Sequence, residues 1–250
     1  MSLIETESVV LKSYNLAEAD RIVVFLTQDH GVVRGVAKGA KRLKSKFGSS
    51  LEPFSIVRMT YFEKESQELV SIDRAEIVRS NFSSASDPEF LQKFSYLGDL
   101  LISVSPPHDP NETLYRMAKA CLDTASADHS SLESTGVYFE LWLMKLAGYL
   151  PDWSSCDRCR RIFADNEDAP VLTNFHFICS SCRRSTSLRV MPGVNRPLAA
   201  SALKLSPSSF AKASSGRAEE LKDLSKMLKQ LIASSLGREV AAEMSLRTVN

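Results

Sequence analysis

The sequence predicts an α+β protein: a small closed β-barrel, then a helical domain with a four-cysteine module inserted in it. Three observations carry this expectation. Short runs of Val, Ile, Tyr and Phe recur through the first 80 residues. Apolar residues at helical spacing take over from Asp87 onward. Four of the five cysteines gather between Pro151 and Arg189. The expected boundaries are 1–80 for the barrel and 81–250 for the helical domain, with the module at 151–189.

Five strands are expected in the first part. Val9-Val10-Leu11, Ile22 to Leu26 and Val32 to Ala37 come first, with Asp29-His30-Gly31 as a turn before the third. Ile56 to Phe62 and Leu69 to Ile72 follow, separated by Glu63-Lys64-Glu65-Ser66-Gln67. Five short strands in so small a span suit an OB-fold, whose barrel commonly offers one face to single-stranded nucleic acid.

Charge singles out one segment of this barrel. Between Asp29 and Glu52 there is no acidic residue, while Arg34, Lys38, Lys41, Arg42, Lys44 and Lys46 all lie there. Gly35, Gly39 and Gly48 punctuate the segment, so it is expected to be a mobile loop leaving the third strand. Such a loop could track a phosphate backbone and release counterions as it binds. The plainer alternative is a solvated loop whose charge only aids solubility. Tyr14, Phe47, Tyr61 and Phe62 could stack on bases, and Phe47, beside Lys46 and Gly48, is the one expected at the surface.

Helices are expected next. Asp87-Pro88 opens one that carries Phe90, Leu91, Phe94, Leu97, Leu101 and Val104, and Pro106-Pro107 ends it. Asp109-Pro110 reads as the N-cap and first turn of a second, whose apolar face includes Cys121. Further helices are expected around Ser134 to Leu150, after Ser206-Pro207, and from Arg217 to Leu236. Their apolar stripes are core.

Cys156-x2-Cys159 and Cys179-x2-Cys182 stand 19 residues apart. Each tight turn points two sulfurs at one place, and two such turns make a tetrahedron of thiolates about 2.3 Å from a zinc ion. With all four positions filled by cysteine, no position is left for an activated water, so the Zn2+ is structural. Disulfides are the first alternative, and the absence of a signal-peptide pattern at the N-terminus argues against them. Redox CxxC pairs are the second, and neither pair follows a thioredoxin-like strand. His176 could replace a thiolate, but with four cysteines present it is expected to be a packed or surface residue. Arg158, Arg160, Arg161, Arg183, Arg184 and Arg189 surround the cysteines and are nearly balanced by acids, which suits solvated charge.

Several classes are excluded or disfavoured. No apolar run approaches the ~20 residues that span a bilayer. There is no P-loop, HExxH or GxSxG, and the four histidines lie apart, so no enzyme is expected. The formal net charge of +1 says little about partners.

Glu18-Ala19-Asp20-Arg21, His30-Gly31 and Val36-Ala37-Lys38-Gly39-Ala40-Lys41-Arg42 resemble the N-terminal signature of the RecO family. Ser45-Lys46-Phe47-Gly48 and Leu51-Glu52-Pro53-Phe54 continue the match, which is dense from residue 5 to about 62. The resemblance implies a bacterial, cytoplasmic, nucleoid-associated mediator of DNA repair and recombination, with an OB-fold, a helical domain and, in many members, a zinc module. It also implies binding of single- and double-stranded DNA and annealing of complementary strands. RecR, RecF in some settings, RecA and single-strand-binding protein are the implied partners, in the RecFOR pathway. An RNA-binding or transcription-associated protein built from the same parts is the main alternative, and a zinc or thiol-redox enzyme a weaker one.

Overall fold

The structure is a computed structural model, and it describes residues 2–64, 68–172, 175–184 and 189–236. Glu65 to Gln67, within the expected turn between the last two barrel strands, lie outside the described residues, as does the Arg189 side chain. The chain forms two compact units, Met1–His129 and Ser130–Asn250.

In the first unit five strands close into a barrel: β1 (Ser2–Leu16), β2 (Asp20–Thr27), β3 (Val32–Ala37), β4 (Ile56–Glu63) and β5 (Val70–Arg79). Their order around the ring is β1-β2-β3-β5-β4, the five-stranded closed barrel expected of an OB-fold. β1 is far longer than the Val9-Val10-Leu11 run because it serves two neighbours. Ser2 to Val9 pairs with β4, and Ser8 to Leu16 pairs with β2 across a bulge between Val10 and Lys12. Its first residues alternate with polar side chains and carry no apolar run, so only the pairing reveals them as strand. β3 and β5 close the ring in parallel, Gly35 opposite Val70. A Cβ on Gly35 would lie 2.7–2.8 Å from the Ile72 and Val70 side chains, so this approach requires glycine.

Inward-facing Val10, Val23, Phe25, Val33, Met59, Tyr61 and Ile72 fill the barrel. Outside it pack α2 (Pro88–Val104) and α3 (Glu112–Ala127), preceded by the short α1 (Phe82–Ala85). Asp87 caps α2 by accepting from the Phe90 amide at 2.9 Å, with Pro88 at the first turn. Phe54 leaves the β3–β4 segment to pack against the stacked rings of Phe90 and Phe94. Lys12 pairs with Asp99, and Arg79 with Asp123. The barrel's strands end at Arg79, yet the compact unit continues through these helices to His129. The cap expected at Asp109 falls further along the chain: Asn111 caps α3, accepting from the Leu114 amide at 2.9 Å. Pro110 lacks an N–H and lies outside the helix.

The second unit holds α4 (Leu132–Leu146), the cysteine module with its two-stranded sheet of β6 (Ala169–Val171) and β7 (Arg189–Met191), then α5 (Asn195–Ala202), α6 (Pro207–Ala213) and α7 (Ala218–Leu236). Leu221, Leu224, Leu228, Leu231 and Ile232 of α7 are buried and packed toward α4, as their spacing requires. Ser206 caps α6 through the Ser209 amide at 3.2 Å. α5, rich in alanine and opened by Asn195-Arg196-Pro197, gives no strong period and is not expected from the sequence. No helix among the described residues is long and apolar enough to cross a membrane.

Candidate functional site

The basic segment leaves β3 as a ladder of tight turns. Successive amides close back three residues: Arg42 on Gly39 O at 3.1 Å, Ser45 on Arg42 O at 2.9 Å, and Ser50 on Phe47 O at 3.0 Å. Gly39 takes a φ of +70°, where glycine carries no steric cost. Its amide donates to Asp20 Oδ1 at 2.7 Å. The Lys41 amide donates to Ala19 O at 2.9 Å, and Arg21 pairs with Glu52 at 3.1 Å. The segment is therefore tied to the β1–β2 turn and to the start of β2.

These anchors sort the candidate residues. Arg34, Lys38, Arg42 and Lys44 are exposed and make no ion pair among the described residues. Lys41 is exposed and its Nζ lies 3.4 Å from Ala17 O. Lys46 is partly committed, paired with Asp73 at 3.0 Å and lying over the Phe47 ring at 5.3 Å.

Phe47 corrects the expectation. It is only 4% exposed and belongs to the barrel core with Leu51, so it has no free face for a base. Tyr61 is also internal. Of the four candidate aromatics the exposed one is instead Tyr14, 45% exposed on β1. In register it stands opposite Ile22, which stands opposite Val36 on β3. Residues directly opposite share a face, so Tyr14, Ile22 and Val36 form one outward row near Arg34. Sequence reasoning names Tyr14 but cannot rank it, because facing depends on the bulge in β1.

The cysteine module is built from two knuckles. Ser155 and Ile162 bridge an antiparallel turn that holds Cys156 and Cys159, with Arg160 at a φ of +60°. A 3-10 turn, Ser180–Cys182, presents the second pair. The four sulfurs all lie within 4.8 Å of one another, and Cys159 Sγ is 3.8 Å from Cys179 Sγ. A disulfide would place sulfurs about 2.05 Å apart, and all five cysteines are free. For thiolates about 2.3 Å from a central ion, the edge of a regular tetrahedron is about 3.8 Å. The set therefore fits a metal ion.

The surroundings act unevenly on these thiols: contacts with Cys179 and Cys159 push the Cys182 thiol up to about 12, while the Cys179 thiol, raised by burial, is held below its ordinary value by main-chain and thiol hydrogen bonds that outweigh it. Burial raises the Cys156 thiol, but amides aimed at its sulfur, with those of Cys159 and Cys179 foremost, outweigh it and bring it down to about 6. The Cys179 amide donates to Cys156 Sγ at 3.3 Å. Arg161 and the Ala164 amide hold Glu167 down to about 2, fixing the loop beyond the first knuckle. His176 is no ligand; it is half-exposed and pairs with Asp157. Phe163, Val171, Phe175, Phe177, Ile178 and Met191 are buried around the knuckles, a fuller core than the module's composition suggests. Arg161 is bound to Glu167, Arg160 lies 3.9 Å from Asp157, and Arg158 donates to Cys182 O at 3.2 Å, so these arginines serve the module itself. Cys121, away from this centre, is fully buried on α3 and its thiol is pushed up by that burial.

The fold and these two features define a class: an OB-barrel protein with a basic turn ladder, joined to helices that carry a four-cysteine cluster able to hold a metal ion. The comparisons with known proteins agree. Residues 1–81 match the family model described as Recombination protein O N terminal, and residues 86–243 match Recombination protein O C terminal. The chain belongs to the RecO family. It is 31% identical over 188 residues to the DNA repair protein RecO of Koribacter versatilis, covering 74% of this chain and 76% of that one. It is 27% identical over 205 residues to the DNA repair protein RecO of an Anaeromyxobacter species, covering 81% and 77%. Family membership supports a function in DNA repair and recombination.

Proposed function

We propose that this protein binds single- and double-stranded DNA and anneals complementary strands without nucleotide hydrolysis. Acting with RecR, and with RecF in some settings, it helps load RecA onto DNA coated by single-strand-binding protein, in the bacterial cytoplasm. The observation that carries the reading is the set of exposed cations formed by Arg34 on β3 and by Lys38, Arg42 and Lys44 on the pinned segment that follows it, none with a carboxylate partner among the described residues. Fixed cations of this kind neutralise phosphates without reading sequence. Tyr14 and the apolar row beside it offer a stacking surface for bases.

The metal is zinc, held by Cys156, Cys159, Cys179 and Cys182. Four thiolates in a tetrahedron suit zinc, and a closed set gives it a structural role. Protein partners dock on the helical part.

The experiment is annealing of complementary DNA coated with its cognate single-strand-binding protein, at several salt concentrations and without ATP. Salt-sensitive annealing supports the mediator reading. Binding of RNA in preference to DNA, with no annealing, would replace it with the RNA-binding alternative.

A further inference from the structure

The turn ladder carries a residue that its electrostatic role does not use. Leu43 is fully exposed, at 102% of the reference value, more than any other large apolar residue among the described ones. It occupies the tip of the Arg42–Ser45 turn, closed by the Ser45 amide on Arg42 O at 2.9 Å. Gly, Pro, Asn, Asp and Ser dominate such corners, each for a local reason, and leucine has none. Its sequence neighbours Lys41, Arg42 and Lys44 are all exposed cations. An apolar side chain here cannot be covered by its own barrel, because the turn is held outward from both ends by the Asp20–Gly39 bond and by buried Phe47.

We infer that Leu43 is a wedge that inserts between two adjacent bases of bound DNA, with Arg42 and Lys44 on the phosphates either side. This rests on the DNA-binding reading and deepens it. The surface that a lysine- and arginine-flanked tip meets is polyanionic, and the apolar surface available within a polyanion of that kind is the base stack. Leucine is among the side chains that enter base steps and partly unstack them. A tip closed by the Ser45–Arg42 main-chain bond suits this, since a formed turn gives up less conformational freedom on insertion than an open loop.

The test uses the full chain and DNA carrying 2-aminopurine, whose fluorescence rises when it is unstacked. Affinity and its salt dependence are measured on the same samples for the wild type, L43S and L43F. The expected result is a rise with wild type at one or two steps of the site. L43S loses that rise while keeping the salt slope, which counts phosphates, and L43F restores it. Wild-type binding without a rise, or an undiminished rise with L43S, overturns the wedge and leaves DNA binding standing. Failure of the wild type to bind DNA at all removes both readings. The Leu43 side chain is fully solvated, so L43S folds as the parent does.

Discussion

The carboxylate of Asp20 accepts the main-chain amide of Gly39 at 2.7 Å, tying the β1–β2 turn to the start of the basic ladder. Both residues belong to the motifs that mark the family, and so do Arg21 and Glu52, which pair 31 positions apart. These four residues therefore hold the loop in place, while Lys38 and Arg42 of the same motifs face solvent.

Replacing Asp20 with alanine removes the acceptor of the half-buried Gly39 amide and loosens the ladder. A hydrogen bond to a charged group contributes about 1.5 kcal/mol or more. We expect D20A to melt earlier and to bind DNA more weakly although no cation is removed. D20N keeps an acceptor oxygen and recovers most of both. Equal DNA affinity of D20A and wild type would show that loop order is irrelevant to binding.

The cations should separate into two groups in a salt titration. Removing Arg34, Lys38, Arg42 and Lys44 together lowers affinity and flattens the slope of log K against log salt. The slope falls by about 0.7 for each single-strand phosphate that is no longer neutralised. Lys46 is already paired with Asp73, so K46A leaves the slope close to that of the parent. A larger change with K46A than with the quadruple variant would place the DNA elsewhere.

Two aromatics should respond in opposite ways. F47A opens a cavity in the barrel core, at a cost of about 3–5 kcal/mol in stability. Y14A leaves the melting curve near its original place but weakens single-strand binding, by about 1–3 kcal/mol if one base stacks there. Thermal melts and DNA titrations on the two variants decide between these assignments.

Glu7 accepts from the Tyr115 hydroxyl at 2.7 Å and from Lys119, joining β1 to α3. The Lys119 ammonium, together with the tyrosine hydroxyl, holds the carboxylate below the ordinary glutamate value, against the opposing effect of burial. A group depressed in the folded state stabilises above its unfolded value, about 4.3, and loses that contribution as pH falls through the folded value. As pH falls below about 4.3, stability should drop more steeply for the wild type than for E7Q. Identical pH profiles would mean the Glu7 contacts add nothing.

Removal of the metal acts on the second unit. C156S or strong chelation should release one zinc, measured by elemental analysis, and expose residues 151–236 to hydrogen exchange. The barrel, which shares no ligand with the centre, should keep its protection. Unchanged exchange across the module after metal loss would show that Phe163, Phe177 and their neighbours suffice as a core.

The α+β order, the five strands and the four-cysteine cluster are legible in the sequence, because each rests on local spacing. A CxxC pair reports its own turn, and Asp87-Pro88 its own cap. The burial of Phe47 is illegible for the opposite reason. Its neighbours Lys46 and Gly48 describe a surface loop, while its burial depends on Val10, Val33 and Met59 across the barrel. The Asn111 cap is hidden because Asp109-Pro110 offers an equally good local signal just before it.

By itself the sequence determined which elements exist, where the thiolates cluster and which stretch concentrates positive charge. Those properties follow from short-range chemistry: periodicity, turn preference and ligand spacing. Only the tertiary structure decided which cations are free, which of the four candidate aromatics is exposed, and that Leu43 stands at a solvated turn tip. Each of these depends on contacts between residues distant in the chain, such as Asp20 with Gly39, or on the register of β1 beyond its bulge. Changing a strand's register by one residue reverses every side chain on it, so facing cannot be fixed until the ring is closed.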